Sequence, residues 1–243
     1  YPTSEQATLF AKTFGCCRKI WNLMLEDKIA YRKLTGKNLM TTPAQYKEMC
    51  PYLKEVDCMA LCNVQINLQQ AFRNRAKNKK FGLPKPKSKK KSKRSYTTSN
   101  THGIVAIVEN GIKLPKAGIV KAVIHRQPEE GWKLKSATIS QDRDGKYYAS
   151  VLFEFEQVVK QQPVTSETTI GLDYASDGLY VDSNGNEYDM PHFYRQSAKK
   201  LGRLQRKLSR RKGSRKREVK SKNYLKQLRK VNRLHSHISH QRK

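Results

Sequence analysis

Leu9, Phe10, Phe14, Cys17, Ile20, Trp21, Met24 and Leu25 recur at three- and four-residue intervals, so residues 3–31 read as an amphipathic helix. Thr3 or Ser4 can cap its start, and Gln6 stands three residues after Thr3, the spacing of a capping box. Gly36 and Pro43 punctuate the next segment. A second helical stretch is expected from about Thr42 to Met49. A third is expected from about Asp57 to Asn78, with Met59, Leu61, Cys62, Ile66, Leu68 and Phe72 as its apolar stripe. The aromatics on these stripes read as core.

The period then changes from helical to short extended runs. Ile104–Val108, Ile112–Leu114, Ile119–Ile124, Leu134–Ile139 and Tyr147–Phe153 are strand-like. Asn110-Gly111, Pro128, Gly131 and Asp144-Gly145 separate them, and the last is a strong hairpin signal. Short strands packed this densely suggest a small antiparallel barrel, in which closure limits exposed edges. A polar linker over 157–169 leads to a third region. There Thr169–Tyr174 reads as a short buried-type strand ending near an acid, Gly178–Asp182 as a second strand, and Asn186–Tyr188 as the start of a third. Asn184-Gly185 marks the turn between the last two. From Phe193 the pattern is helical again. Leu201, Leu204 and Leu208 share one face, Lys212-Gly213-Ser214 breaks it, and Leu225, Leu228, Val231, Leu234 and Ile238 line a second helix. This spacing predicts two antiparallel helices with an apolar seam and basic outer faces.

Composition sharpens the picture. The 243 residues hold 50 Lys and Arg against 20 Asp and Glu, a formal net charge of +30. Such an excess is hard to hold in a folded chain without a polyanion, which points to a nucleic-acid binder. No apolar run approaches the ~18 residues of a membrane span. The charge is concentrated. Residues 73–94 carry twelve Lys or Arg and no acid, and residues 198–243 carry nineteen with one acid, Glu218. Lys85, Lys87, Lys89, Lys90, Lys91 and Arg94 in the first tract are candidate phosphate contacts, as are Arg203, Arg206, Lys207, Arg210, Arg211, Arg215 and Arg217 in the second. Pro84 and Pro86 break any helix there, so the tract reads as a solvated linker or, equally well because it sits between two folded segments, as a flexible arm lying on phosphates. Tyr96, Phe193, Tyr194 and Tyr224 stand near the tracts and could stack on bases or serve as core.

The cysteines, Cys16, Cys17, Cys50, Cys58 and Cys62, are odd in number and contain no Cys-x-x-Cys pair. This argues against a disulfide framework or a closed zinc site within the chain. Buried free thiols are expected at Cys58 and Cys62, and a reducing compartment fits. His237 and His240 share a helical face near the chain end but have no acid or Cys beside them, and they read as basic surface rather than a metal site. Asp173 is the carboxylate best placed for chemistry. It ends an apolar strand, Gly171 allows close backbone approach, and a hairpin and then a helix follow, the opening order of an RNase H-like nuclease fold. Metal-assisted phosphodiester cleavage needs clustered carboxylates. Asp177, Asp182 and Asp189 are candidate helpers, although their turn-forming neighbours favour turn roles.

These residues together resemble a known family. Tyr1–Gln6 is similar to the opening of the TnpB proteins of insertion sequences. Ile112–Lys116, His125-Arg126 and Asp144–Tyr148 resemble their barrel segment, and Ile170–Asp173 their first RuvC motif. Gly178–Asp182 resembles the strand after it, and Gln205–Arg210 the family's basic helix. The resemblance implies a mixed α/β, multidomain fold. It has a helical recognition lobe with a basic linker over 1–94, an antiparallel β-barrel wedge over 95–165, and the N-terminal part of an RNase H-like RuvC domain with basic helices over 166–243. It implies an RNA-guided DNA endonuclease with a guide RNA and target DNA as partners, Asp173 as catalytic carboxylate and Mg²⁺ ligand, and a bacterial, nucleoid-associated setting. Ala175 departs mildly from the family's usual Gly. The family's later acids and its zinc-binding cysteines are expected beyond Lys243. The chain is therefore expected to be a fragment that binds nucleic acid without cutting it, with a nuclease-inactive RNA-guided binder or a structural RNA-binding protein as alternatives.

Overall fold

Thr3 caps the first helix as its spacing suggests. In the computed structural model, which describes residues 1–101, 103–156, 163–174, 178–212 and 220–242, α1 runs Ser4–Thr35. The Thr3 side chain accepts from the Gln6 amide while the Gln6 side chain accepts from the Thr3 amide, closing the capping box. Gly36 ends the helix at φ 70°, the left-handed conformation that favours glycine there. The expected second helix is instead two single 3₁₀ turns, Pro43–Tyr46 and Pro51–Lys54. Pro51 has no N–H to continue a helical ladder, so the turn that Pro43 starts does not run on into the one that Pro51 starts. α2 spans Cys58–Lys77, capped by the Asp57 carboxylate on the Met59 amide. Its buried stripe is Ala60, Leu61, Val64 and Leu68, while Ile66 is exposed.

The chain forms two compact units, residues 1–156 and 157–243. In the first, β1 (Arg94–Ser99), β5 (Lys133–Gln141) and β6 (Tyr147–Glu154) make an antiparallel sheet in the order β1-β5-β6. Arg94 pairs with Gln141, and Gln141 in turn with Tyr147. The β5–β6 turn is the expected Asp144-Gly145 hairpin, with Gly145 at φ 95°. A second sheet holds β2 (Ala106–Val108), β3 (Gly111–Leu114) and β4 (Gly118–Lys121) in chain order. Gly111 is required in it, because a Cβ there would sit 2.2 Å from the Val120 carbonyl oxygen.

The expected barrel is not closed: the described strands form two separate three-stranded sheets. An apolar cavity of about 960 Å³ is lined from both, by Ile107 and Ile112 of one and Tyr147, Val151 and Phe153 of the other.

The helices cover the first sheet. Phe10 lies 6.2 Å from Tyr96 and 5.7 Å from Tyr147 between ring centroids, and Phe14 lies 5.9 Å from Tyr96. Tyr96 is core, not a stacking platform, and burial pushes its phenol well above the ordinary range. Phe10, Ile20, Met24, Leu25, Leu61 and Leu68 are fully buried, each contributing roughly 1.5–3 kcal/mol by removal from water. The same core continues into Val105, Ile112, Leu114 and Val120, so residues 1–94 and 95–156 share one interior. Cys16, Cys17 and Cys50 are buried free thiols, and burial above all raises Cys17 to about 12. Cys58, expected to be buried, is exposed at the start of α2, and Cys62 one turn later is half-buried.

In the second unit, β7 (Leu172–Asp173), β8 (Tyr180–Asp182) and β9 (Glu187–Tyr188) form an antiparallel sheet in chain order. α3 (Phe193–Arg210) and α4 (Lys222–Gln241) come next and pack on each other. Arg211 donates to the Asn223 carbonyl oxygen at their joined ends, and Arg242 lies over the Tyr194 ring at the other, which makes the pair antiparallel. The seam contains Leu201, Val231 and Ile238 with one buried polar residue, Gln227, whose amide donates to the Leu204 carbonyl oxygen at 3.0 Å. A buried polar group satisfied by one particular carbonyl fixes how the helices align. Among the described residues no helix is long and apolar enough to cross a membrane.

Candidate functional site

The β7–β9 platform is built on a buried carboxylate. Asp182 accepts from the Asn184 and Asn186 amides at 2.9 Å each, from the Asn186 side-chain amide at 2.8 Å and from the Tyr188 hydroxyl at 3.4 Å. The Asn186 side-chain bond is the largest of the contacts that hold Asp182 below the usual carboxylate range. Gly185 takes φ 81° to let this turn close. Ser183 ties the hairpin back to β7: its hydroxyl accepts from the Gly171 amide, and its own amide donates to the Gly171 carbonyl oxygen at 2.8 Å. Tyr180 and Tyr188 pack with ring centroids 4.5 Å apart. Asp182 is thus the hairpin's internal acceptor, the turn role its sequence neighbours favour.

Register then places Asp173. It lies opposite Val181, and Val181 lies opposite Glu187, so these three share one face of the sheet. Leu172, Tyr180, Asp182 and Tyr188 share the other. The Asp173 carboxylate therefore stands on the face away from the Asp182 network, and it is exposed. Glu187 is the one acid that register adds to its face. Two strand spacings separate their backbones by about 10 Å, too far for them to form a compact ligand pair by themselves. Asp189 is exposed beyond β9, and Asp177 lies outside the described residues. Among the described residues no group of three or more His, Cys, Asp and Glu side chains could hold a metal ion, and His237 and His240 join none. Ile170 and Leu172, read as parts of a buried-type strand, are 54% and 61% exposed.

The first basic tract is not a free arm: it begins in α2, with Arg73, Arg75 and Lys77, and is fastened to α1 at residues 85–87. The Trp21 indole N–H donates to the Lys85 carbonyl oxygen at 3.0 Å. Asn22 both donates to the Lys87 carbonyl oxygen and accepts from the Lys87 amide. The Lys87 ammonium sits 3.7 Å from the Trp21 ring centroid, a cation–π contact, and burial lowers its pKa. Lys87 therefore fastens the tract to α1. Lys89, Lys90 and Lys91 are exposed, and Arg94 is exposed while donating to Gln141 across the β1–β5 pair.

On α3, Arg203, Arg206, Lys207 and Arg210 are exposed, whereas Arg211 closes the helix pair. Arg215 and Arg217 lie outside the described residues. Tyr194 lies under Arg242, and the Lys220 ammonium is 5.8 Å from the Tyr224 ring centroid. Lys200, Lys230 and Arg233, none of them among the candidates from sequence, line a groove between α3 and α4 together with His237, which the sequence reads as basic surface. Their signal in the sequence is the spacing i, i+3, i+7 on α4, one stripe of a helix.

Residues 1–37 match a family model described as the helix-turn-helix domain of the insertion-sequence OrfB proteins, and residues 150–243 match the model described as their probable transposase. Within residues 1–37 the structure holds one continuous helix, α1, whose apolar stripe is buried in the core. A protein of Streptomyces pristinaespiralis named "Putative RNA-guided DNA endonuclease" is 31% identical over 255 residues, covering 100% of this chain and 59% of that protein. "Putative RNA-guided DNA endonuclease InsQ" of Escherichia coli K12 is 29% identical over 259 residues, with 100% of this chain and 58% of that protein covered. The chain thus spans just under three fifths of the length of these curated relatives. Two family matches at opposite ends and collinear identity across the whole chain agree with the motifs at Tyr1–Gln6 and Ile170–Asp173, and they bear out the resemblance: along its whole length the chain is similar to the TnpB (OrfB) proteins of insertion sequences.

Proposed function

We propose that this chain is the nucleic-acid-holding part, and carries the first catalytic strand, of an RNA-guided DNA endonuclease. In this reading the exposed lysines of the first tract and the α3–α4 helices hold a guide RNA and the DNA paired to it. Phosphate contacts give affinity and register, while base pairing reads sequence. The observation that carries the reading is Asp173, which ends β7 on an exposed sheet face and whose carboxylate, among the described residues, makes no hydrogen bond or ion pair.

Mg²⁺ held by clustered carboxylates would supply water activation and stabilisation of the leaving oxygen. Asp173 fits the part of one ligand, because its acceptor oxygens are not used up by neighbours as those of Asp182 are. The described residues do not make up a full ligand set. What this chain's residues do by themselves is narrower. The Asp182 network closes the β8–β9 hairpin, Ser183 ties that hairpin to Gly171 just before β7, Asp173 stays on the exposed face, and the acid-free helices attract phosphates. Alone, the chain binds nucleic acid and does not cut it.

The test uses the full-length protein loaded with its guide RNA and a matched DNA target. Asp173→Ala is expected to reduce cutting to background while target binding by mobility shift stays within about twofold, since no phosphate-facing cation is lost. Unchanged cutting would overturn the catalytic assignment. A wild-type complex that binds its target and never cuts would instead favour the RNA-guided binder without nuclease activity.

A further inference from the structure

The groove between α3 and α4 differs from the outer faces of those helices. It is open to solvent, has a volume of about 360 Å³ and is lined by Lys200 and Leu204 from α3 and by Lys230, Arg233, Leu234 and His237 from α4. Neither helix contains an acid, so nothing on them competes for these cations. The alignment of the two walls is pinned by the Gln227 bond to the Leu204 carbonyl oxygen, within the same stretch of the seam. The groove is therefore a pre-aligned cationic channel with an apolar floor, formed by Leu204 and Leu234. A duplex shows its backbone phosphates outward and keeps its bases stacked, so it has no use for an apolar floor. A single strand presents phosphates, sugars and unstacked base faces together.

The chemistry also separates RNA from DNA. Lys and Arg only donate hydrogen bonds, whereas a neutral imidazole can accept one. Among the described residues that line the groove, His237 alone has a side chain that can accept. The ribose 2′-hydroxyl is the donor that RNA carries on its backbone and DNA lacks. We infer that the α3–α4 groove binds a single-stranded segment of RNA, with Lys200, Lys230 and Arg233 on successive phosphates and His237 accepting from a 2′-hydroxyl. This rests on the proposed function and deepens it, by assigning the RNA backbone to residues outside the arginine-rich outer face.

The test measures binding of fluorescein-labelled oligouridine RNA and the matching deoxyuridine DNA to the whole chain, by anisotropy over a series of salt concentrations at one fixed pH. A groove triple, Lys200→Gln, Lys230→Gln and Arg233→Gln, is compared with a control triple of equal charge, Lys199→Gln, Lys222→Gln and Arg229→Gln. Circular dichroism confirms that both fold. Each single-strand phosphate contact contributes about 0.7 to the slope of log affinity against log salt, so the groove triple should lower that slope by about 2 for RNA. The control triple should change it far less. His237→Ala should weaken RNA binding several-fold and leave DNA binding unchanged. Equal losses in the two triples, or equal effects of His237→Ala on RNA and DNA, overturn the groove assignment. If the wild-type chain binds neither oligonucleotide, the broader reading fails before any variant is compared.

Discussion

Replacing Phe10 by Ala tests whether the helices and the first sheet share a single core. Phe10 is 1% exposed, and its ring meets both Tyr96 on β1 and Tyr147 on β6. Truncating a fully buried Phe costs about 3–5 kcal/mol, from lost transfer energy and the cavity left behind. The surrounding rings cannot refill that space, because Tyr96 and Tyr147 are held by a paired sheet. For a unit of this size, about 1 kcal/mol moves the melting midpoint by about 2–4 °C, so a drop on the order of 10 °C or more is expected.

The two tryptophans give separate probes. Trp21 lies on α1, and Trp132 stacks on Phe155 at the end of β6 with centroids 4.5 Å apart. Urea unfolding of Phe10→Ala is followed through each tryptophan alone, in Trp21→Phe and Trp132→Phe backgrounds. Both probes should shift to lower urea together and by the same amount, the mark of one cooperative unit. A shift seen at Trp21 but not at Trp132 would refute the shared core. A loss under about 1 kcal/mol at both would refute the packing argument itself.

Contacts elsewhere in the molecule yield two more tests. Trp21→Leu removes the indole N–H bond to Lys85 and the surface beneath the Lys87 ammonium, so limited trypsin digestion should cut between 85 and 91 several-fold faster while the core resists; an unchanged digestion rate would mean that the clamp does not hold the tract. Asp182 has its pKa depressed in the folded hairpin, so its stabilising contribution is full above the ordinary carboxylate value of about 3.9 and is lost as pH falls through the lower folded value. The amide signals of Asn184 and Asn186 should therefore hold their hairpin shifts to below that pH in an acid titration by NMR, and Asp182→Ala should abolish those shifts at every pH; loss of the signals well above pH ~4 would contradict the hydrogen-bond network.

Local signals carry most of the elements. Thr3 with Gln6 marks the start of α1, and Asp144-Gly145 marks the β5–β6 hairpin, because capping and two-residue turns are decided by residues within a few positions. β1 is hidden in the sequence because its residues, Arg94–Ser99, are polar and continue a lysine-rich run. Its alternation is nevertheless present, with Tyr96 and Thr98 turned inward and their neighbours outward. The Thr42–Met49 stretch forms only the 3₁₀ turn Pro43–Tyr46, and Pro51, which lacks an N–H, separates it from the next turn. Lys87 cannot be told from Lys89 by sequence, because Trp21 is 66 positions away and the distinction exists only once the arm folds onto α1. At the candidate site, Asp173 is legible as a strand-end acid, and Asp182 as a turn former. The face each occupies is not, since that depends on a pairing register that a one-residue slip would invert.

The clamp at Lys85–Lys87 also changes what kind of object the lysine tract is. Fixed to α1 at one end and entering β1 at Arg94 at the other, residues 88–93 form a tethered bridge rather than a dangling tail. Six residues extend to at most about 20 Å, so Lys89, Lys90 and Lys91 can sample only a narrow shell above the helical lobe. A polyanion that reaches them must come to that shell, and the protein surrenders less conformational entropy on capture than a free basic tail of the same charge would.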